Sequence, residues 1–323
     1  MRLTAAALLL LASCAAPQAA APAPVEVLFD SDMNTDCDDI AALAVLHALA
    51  DRGEARILAT AASSKNEESA LCIDALNTAF GRPDLPVGVP KGPGTKEPSK
   101  YAGQIAKRYP HRLASADAAP DAARLYAELL EKQPDQSVVL VTVGYLTNVA
   151  ALLRLPGGPD LVRRKVRLWA CMGGNFIGNP PKDDLKLGNV NFTREKDGAL
   201  FAIRNWPGPL VFCGREVCSV PSGVKIGARF GELPENHPVR VGYALYFGGA
   251  PKDRHVADPA TVLFAVRGPG TRWTLRDGGR MDLRDDCTFE WRADRDSLQA
   301  YLLKRAPDRE IERELEALIG LRP

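Results

Sequence analysis

Five aspartates, Asp30, Asp32, Asp36, Asp38 and Asp39, fall within ten residues where the apolar run Val25–Phe29 gives way to an apolar segment starting at Ile40. Two carboxylates about 4 Å apart repel by roughly 4 kcal/mol at an effective dielectric near 20, so converging acids must separate, take up protons or bind a cation. The spacing brings them together. In a strand of period two Asp30 and Asp32 share a side, and Asp38 and Asp39 open the following helix, whose positive dipole end favours anions. The chemistry open to such a group is that of an oxygen-liganded cation with carboxylates at hand as bases.

Three simple templates leave part of the cluster unexplained. Asp30, Asp32, Asn34, Asp36 and Asp38 match alternate ligands of an EF-hand loop, yet Thr35 stands where that turn needs Gly and Ala41 where it needs a bidentate Glu. A strand-terminal Asp-x-Asp also resembles the haloacid-dehalogenase-type phosphatases, but gives the Asp38-Asp39 pair no role. A merely capped helix does not need five acids.

The elements that must position these residues alternate along the chain, short apolar runs with segments of helical period. Strands are expected at Val25–Phe29, Ala55–Thr60, Leu85–Val89, Ser137–Val143, Val166–Met172 and Pro209–Cys213. Between them the period predicts helices at Asp38–Ala50, Glu67–Phe80, Asp121–Glu131, Leu146–Leu153 and Arg194–Asn205. This is the pattern of an α/β fold with a single large open sheet, mostly parallel and Rossmann-like, with helices on both faces. Such sheets place their sites at the carboxyl ends of strands, where Asp30 and Asp32 lie. The second half is less regular: helices at Val239–Phe247 and Asp258–Val266, short strands at Thr271–Leu275 and Cys287–Trp291, and closing helices at Asp296–Leu303 and Asp308–Ile319 are expected.

Residues 1–24 read as an export signal and tether. Arg2 supplies the charged start, Ala5–Ala12 the apolar stretch, and Leu11-Ala12-Ser13-Cys14 resembles the lipobox of bacterial lipoproteins, in which the cysteine is acylated. An ordinary signal cleaved within Ala15–Ala21 also implies export. The expected location is therefore extracytoplasmic, in the periplasm or cell envelope, with membrane contact only through a lipid anchor at Cys14. Residues 25–323 are read as one domain. With 41 basic and 40 acidic residues among 323, the chain lacks the basic surface that nucleic acid requires. Six cysteines follow Cys14; Cys213 and Cys218 are close enough to pair if a turn joins them, and no spacing matches a zinc site.

Further motifs extend the acidic segment. Phe29-Asp30-Ser31-Asp32 through Asp38-Asp39-Ile40 resembles the N-terminal signature of the inosine-uridine-preferring nucleoside hydrolase family. Thr142-Val143-Gly144-Tyr145-Leu146-Thr147-Asn148 is similar to its Thr-Gly-x-Leu-Thr-Asn turn, Met172-Gly173-Gly174 to its Met-Gly-Gly strand end, and Asn189-Val190-Asn191-Phe192 to a segment that supplies an Asn to the sugar. His255-Val256-Ala257-Asp258-Pro259 resembles the late segment supplying the last metal ligand. The resemblance runs in order from residue 25 to about 267.

That resemblance implies a nucleoside hydrolase fold and calcium-dependent hydrolysis of an N-glycosidic bond to free base and ribose. It implies a Ca2+ held by Asp32, Asp39, Asp258 and the backbone carbonyl of Thr142, an oxygen-only shell suited to a hard cation. Asp32 would also take a proton from water, as the catalytic base. Asp38, Asn66, Asn189 and Asn191 would bind the ribose, with Met172 at its border and Glu216 facing the pocket. The partner is a small-molecule nucleoside or riboside, and relatives form dimers and tetramers, which leaves a homodimer or homotetramer open. Bland roles stand beside these: Asp258 before Pro259 is a good helix start, Asn191 can cap a helix, Asn66 and Asn189 can bond their own loops, and Met172 can be core.

Three departures from the family pattern bear on substrate. Asn34 takes a loop position usually held by Gly, which Asn tolerates. Asn189 replaces a Glu that contacts the outer ribose hydroxyl. Ala257 replaces a His able to protonate the leaving base, and His255 is two residues away. A second reading is therefore a ribose- or nucleoside-binding lipoprotein with little catalysis, and a third an Asp-x-Asp phosphatase. The base-contacting residues are expected within Ser222–Phe247.

Overall fold

The alternating apolar runs assemble, in the computed structural model, into an eight-stranded sheet of order β3-β2-β1-β4-β5-β6-β12-β9. The structure describes residues 23–33, 36–177, 190–218 and 223–322. The strands are β1 (Val25–Ser31), β2 (Ala55–Ala62), β3 (Val87–Gly88), β4 (Val138–Thr142), β5 (Val166–Met172), β6 (Leu210–Cys213), β9 (Trp273–Arg276) and β12 (Gln299–Lys304). All neighbours are parallel except β9, which runs antiparallel to β12. β4, Val-Val-Leu-Val-Thr, and β6, Leu-Val-Phe-Cys, are buried along their whole length, as a sheet covered on both faces requires.

One face is covered by α1 (Asp38–Asp51), α2 (Glu67–Ala79) and the helix Ala257–Arg267. The other carries α4 (Ala122–Glu131), α5 (Thr147–Arg154), α6 (Gly158–Lys165) and the helix Lys196–Asn205. Helix α1 is apolar almost all round because it is enclosed, packing on β2 and on the helices Ala257–Arg267 and Asp308–Ile319. From β1 the chain winds one way through β2 and β3, then crosses to β4, β5 and β6 on the other side. The order reverses between β1 and β4, so their carboxyl ends open the crevice in which such folds bind ligands.

One expected helix is a strand. Residues 299–304 form β12, inserted between β6 and β9, and Ala300 and Leu302 are buried while their neighbours are only partly so. That is a period of two over a Tyr-Leu-Leu run, and the eight residues from Asp296 were too few to separate it from a helical period. The short helix α3 (Ala102–Arg108), α6, the paired strands β7 (Lys225–Ile226) and β8 (Arg254–His255), and the hairpin partner β10 (Gly279–Leu283) of β11 (Phe289–Ala293) carry signals too short or too polar to read. Cys37, Cys72, Cys171, Cys213, Cys218 and Cys287 are all free and buried, so Cys213 and Cys218 are not paired here. Cys14 and nearly all of the tether lie outside the described residues. Among the described residues no helix is long and apolar enough to cross a membrane.

Candidate active site

Asp30 and Ser31 end β1 and Asp32 follows directly, the strand end being pinned on both sides by the register of Asp30 with Ala61 of β2 and Thr142 of β4. The turn that follows is tight. Met33 adopts a positive φ of 51°, and its N–H donates to Ser31 Oγ at 3.1 Å and to Asp39 Oδ1 at 3.2 Å. Ser31 Oγ in turn donates to Asp39 Oδ1 at 2.5 Å, so the strand end and the first turn of α1 hold one another.

Asp38 and Asp39 in that turn meet Asp258 in the first turn of the helix Ala257–Arg267, their nearest carboxylate oxygens all within 4.8 Å of one another. The three are between 1% and 5% exposed, so water cannot screen them. Burial first, and then the neighbouring aspartates, push all three carboxyls well above the usual range; the charge of Asp32 contributes to the shift at both Asp39 and Asp258. The Asp258 N–H donates to Asp38 Oδ2 at 3.3 Å. Three buried carboxylates this close together are costly without a cation, and an oxygen-liganded cation is a partner that removes the cost.

The other aspartates have structural partners. Asp30 is fully buried and accepts from Tyr126 Oη at 2.9 Å and Asn148 Nδ2 at 3.0 Å; burial nonetheless outweighs these bonds and pushes its carboxyl up to about 7. Asp36 pairs with Arg254, whose Nε lies 2.8 Å and 2.7 Å from the two carboxylate oxygens, tying the β1–α1 loop to β8.

Of the expected sugar residues, the structure brings Asn191 and Met172 together. Asn191 Nδ2 lies 3.0 Å from the Val143 carbonyl, 3.3 Å from that of Met172 and 3.2 Å from its sulfur, so this amide fixes the ends of β4 and β5 at the crevice. Thr142 is buried beneath it and its hydroxyl accepts from Trp169 Nε1 at 2.9 Å, which leaves its main chain as the part able to serve the site. Asn66 caps α2 by accepting from Glu68 N at 3.1 Å and donates to the Glu97 carbonyl at 2.9 Å. Glu216 is buried with Oε1 accepting from the N–H groups of Phe176 and Ile177, so it holds the loop after Met172; burial raises its carboxyl. Phe176 is stacked on Tyr301 at 4.4 Å, which secures the same loop from β12. Asn34 and Asn189 lie outside the described residues, as does Ser222.

The closest approach in the site is made by backbone. A Cβ on Gly144 would lie 2.2 Å from Asp32 N and 2.5 Å from Ser63 Oγ, so the β4–α5 turn touches the strand end carrying Asp32 and admits only glycine. Ser31, Tyr126, Asn148 and Gly144 were not legible as site residues by type; only the Gly-x-Leu-Thr-Asn spacing marks the last two. His255 lies beside Gly223 and Lys225, and burial with the nearby cations of Lys225 and Arg254 pushes its imidazole below the usual value, leaving it neutral at pH 7 and weak as a proton donor. Ala257, buried at the helix start, offers no proton.

Solved structures share this architecture. The purine-preferring ribonucleoside hydrolase from Gardnerella vaginalis matches with a TM-score of 0.69 at 15% identity, covering 91% of this chain and 98% of that one. The inosine-uridine preferring nucleoside hydrolase from Bacillus anthracis gives 0.65 at 14% identity, over 91% and 99%. Type III effector protein XopQ, solved in complex with adenosine diphosphate ribose, gives 0.64 at 19% identity, over 92% and 93%. At such identities the likeness is one of fold. No curated protein sequence matches the chain. The profile of the inosine-uridine preferring nucleoside hydrolases, however, matches residues 27–222, more than half of the chain and the part that contributes all but one of the clustered aspartates. The chain therefore belongs to that family of N-ribosyl hydrolases.

Proposed function

We propose that this protein hydrolyses the N-glycosidic bond of a nucleoside or related riboside in a calcium-dependent reaction, releasing free base and ribose. The observation that carries the reading is the convergence of Asp38, Asp39 and Asp258 within 4.8 Å, with Asp32 beside them at the end of β1. An all-oxygen donor set of buried carboxylates fits a hard cation such as Ca2+ and not a thiolate- or imidazole-binding one. Asp32, Asp39, Asp258 and the Thr142 carbonyl would hold it; bound there, it would supply positive charge that orients the sugar hydroxyls.

Asp32 would hold a water molecule and take its proton as the water adds to the anomeric carbon. Asn191 and Asp38 would bond the ribose, whose ring flattens towards an oxocarbenium ion as the bond to the base breaks. Buried carboxylates favour that developing positive charge by a few kcal/mol, on the order of one preorganised donor in other sites. Among the described residues, Ala257 offers no proton and His255 is held below the usual imidazole value, which argues for a leaving group that departs with little help.

Purified protein incubated with a panel of nucleosides tests the reading. Base release that requires calcium and stops in chelator supports it; tight riboside binding with no release, or phosphate release from esters, contradicts it. We further propose that Cys14 is lipidated and the body, residues 25–323, sits outside the cytoplasm as a single unit. Incorporation of labelled palmitate that is lost in Cys14→Ala checks this.

A further inference from the structure

A cavity of about 390 Å³ lies next to the sugar site, at the start of α2. Its size is that of a small-molecule site, but its wall is charged where such sites are mostly apolar. Lys65, Lys91 and Lys96 line it, against two acids, Glu67 and Asp117, in a molecule whose formal net charge is only +1. Two of the ammonium groups are fixed in place: Lys65 Nζ donates to the Gly92 carbonyl at 2.8 Å, and Lys91 Nζ to the Asp117 carbonyl at 2.9 Å. These bonds are to neutral carbonyls, so neither cation is neutralised by them, and each keeps further N–H donors. Among the described residues, Lys96 makes a long contact to Glu67, at 3.9 Å between exposed side chains.

The cavity adjoins the crevice through the end of β2. Ser63 Oγ is one of the atoms nearest the Gly144 turn, alongside Asp32 N, and Ser64 and Asn66 just beyond it belong to the cavity wall. The loop that forms the far wall is held to this same segment: Ser64 Oγ donates to the Thr95 carbonyl at 3.3 Å and Asn66 Nδ2 to that of Glu97 at 2.9 Å. A ligand anchored at Asp32 and extending along the end of β2 therefore arrives among three lysines.

We propose that this cavity is a subsite for a phosphate group carried by the riboside. The inference rests on the sugar site proposed above and names what its ligand bears. A doubly charged phosphate, with three oxygens open to N–H donors, matches several ammonium groups around one volume better than a neutral sugar or a single carboxylate does.

Binding is the direct test, read by calorimetry without turnover in calcium-containing buffer with ribose, ribose 5-phosphate and inorganic phosphate as probes. Ribose 5-phosphate is expected to bind about tenfold or more tightly than ribose, and the ratio to collapse in the double variant Lys91→Gln, Lys96→Gln. Because the lysines are exposed, the wild-type ratio should also shrink as ionic strength rises, a check that needs no variant. Equal affinities for the two sugars overturn the proposal. So does a phosphate that binds as tightly alone as when attached to ribose and leaves ribose binding unchanged, which would mark a separate effector site. A protein that binds ribose 5-phosphate in this manner but hydrolyses no riboside would contradict the proposed reaction and leave the subsite standing.

Discussion

Asp38, Asp39 and Asp258 come from the first turns of two helices and hold their charges at one another's expense. Without a cation, carboxyls raised by burial and mutual repulsion make the folded state bind more protons than the unfolded chain, so stability present at low pH is lost as pH rises through the raised values. Calcium is therefore expected to raise the melting temperature more at pH 7.5 than at pH 5; calorimetric scans with calcium and with chelator at both values check this, and an equal rise would speak against the cluster as the binding site. Asp258→Asn should abolish that rise while stabilising the calcium-free protein by on the order of 1 kcal/mol, since one repelling charge is gone. Thr142→Val separates side chain from main chain. It strands the Trp169 Nε1 donor and should cost about 1–3 kcal/mol in urea unfolding, yet keep calcium affinity, because the expected ligand is the carbonyl. At this scale the sequence was legible for the acids, whose types and crowding announce a cation. It was not legible for Ser31, which steers Asp39 through an ordinary hydroxyl, nor for the bonds that Glu216 Oε1 accepts from the backbone after Met172.

Between elements, the turn from β4 to α5 decides where Asp32 sits. Gly144→Ala puts a methyl group 2.2 Å from a backbone nitrogen that cannot rotate away, so the strand end must move. Turnover should fall by more than about tenfold, as a displacement of order 1 Å at a reacting group can cost that much and more, and the drop should appear in kcat with secondary structure intact by circular dichroism. The strands β1, β2, β4, β5 and β6 were readable because each is a mostly apolar run, with the polar residues of β1, β2 and β5 too few to break it. β12 was not, because its alternation spans only six residues and it pairs with strands far away in the chain, a contact no local pattern records. Its placement matters to the site, since Tyr301 stacks on the Phe176 loop that follows Met172.

Taken whole, the molecule is a sheet enclosed by two helical layers, and among the described residues its interior holds a polar chain separate from the acid cluster. His47 Nε2 lies 3.0 Å from Asn77 Oδ1, Asn77 Nδ2 donates to Thr60 Oγ1 at 2.9 Å, and Arg82 Nη1 donates to His47 Nδ1 at 3.0 Å, which fixes the neutral Nε2–H tautomer. Burial pushes this imidazole down to about 4. The unfolded chain therefore binds one proton more between about pH 6.5 and pH 4, and stability falls with pH through that window by up to roughly 1.4 kcal/mol per unit. Urea unfolding of wild type and His47→Leu at pH 7 and pH 5 in chelator should show the wild type losing about 2 kcal/mol more than the variant; parallel losses would contradict it. The topology was legible as a class, open and mostly parallel, because crossover helices are long and strands short. Strand order was not, since it depends on which runs pair across the crevice.

The claim that joins these scales is that Asp32, held at the switch point of the sheet beside the buried carboxylate cluster, drives riboside hydrolysis. Its most direct test is release of free base from a hydrolysed riboside by wild type and Asp32→Ala, each saturated with calcium. Release by the wild type that falls at least about a thousandfold in Asp32→Ala, with the variant folded, is the predicted result; comparable release by both proteins would contradict the account.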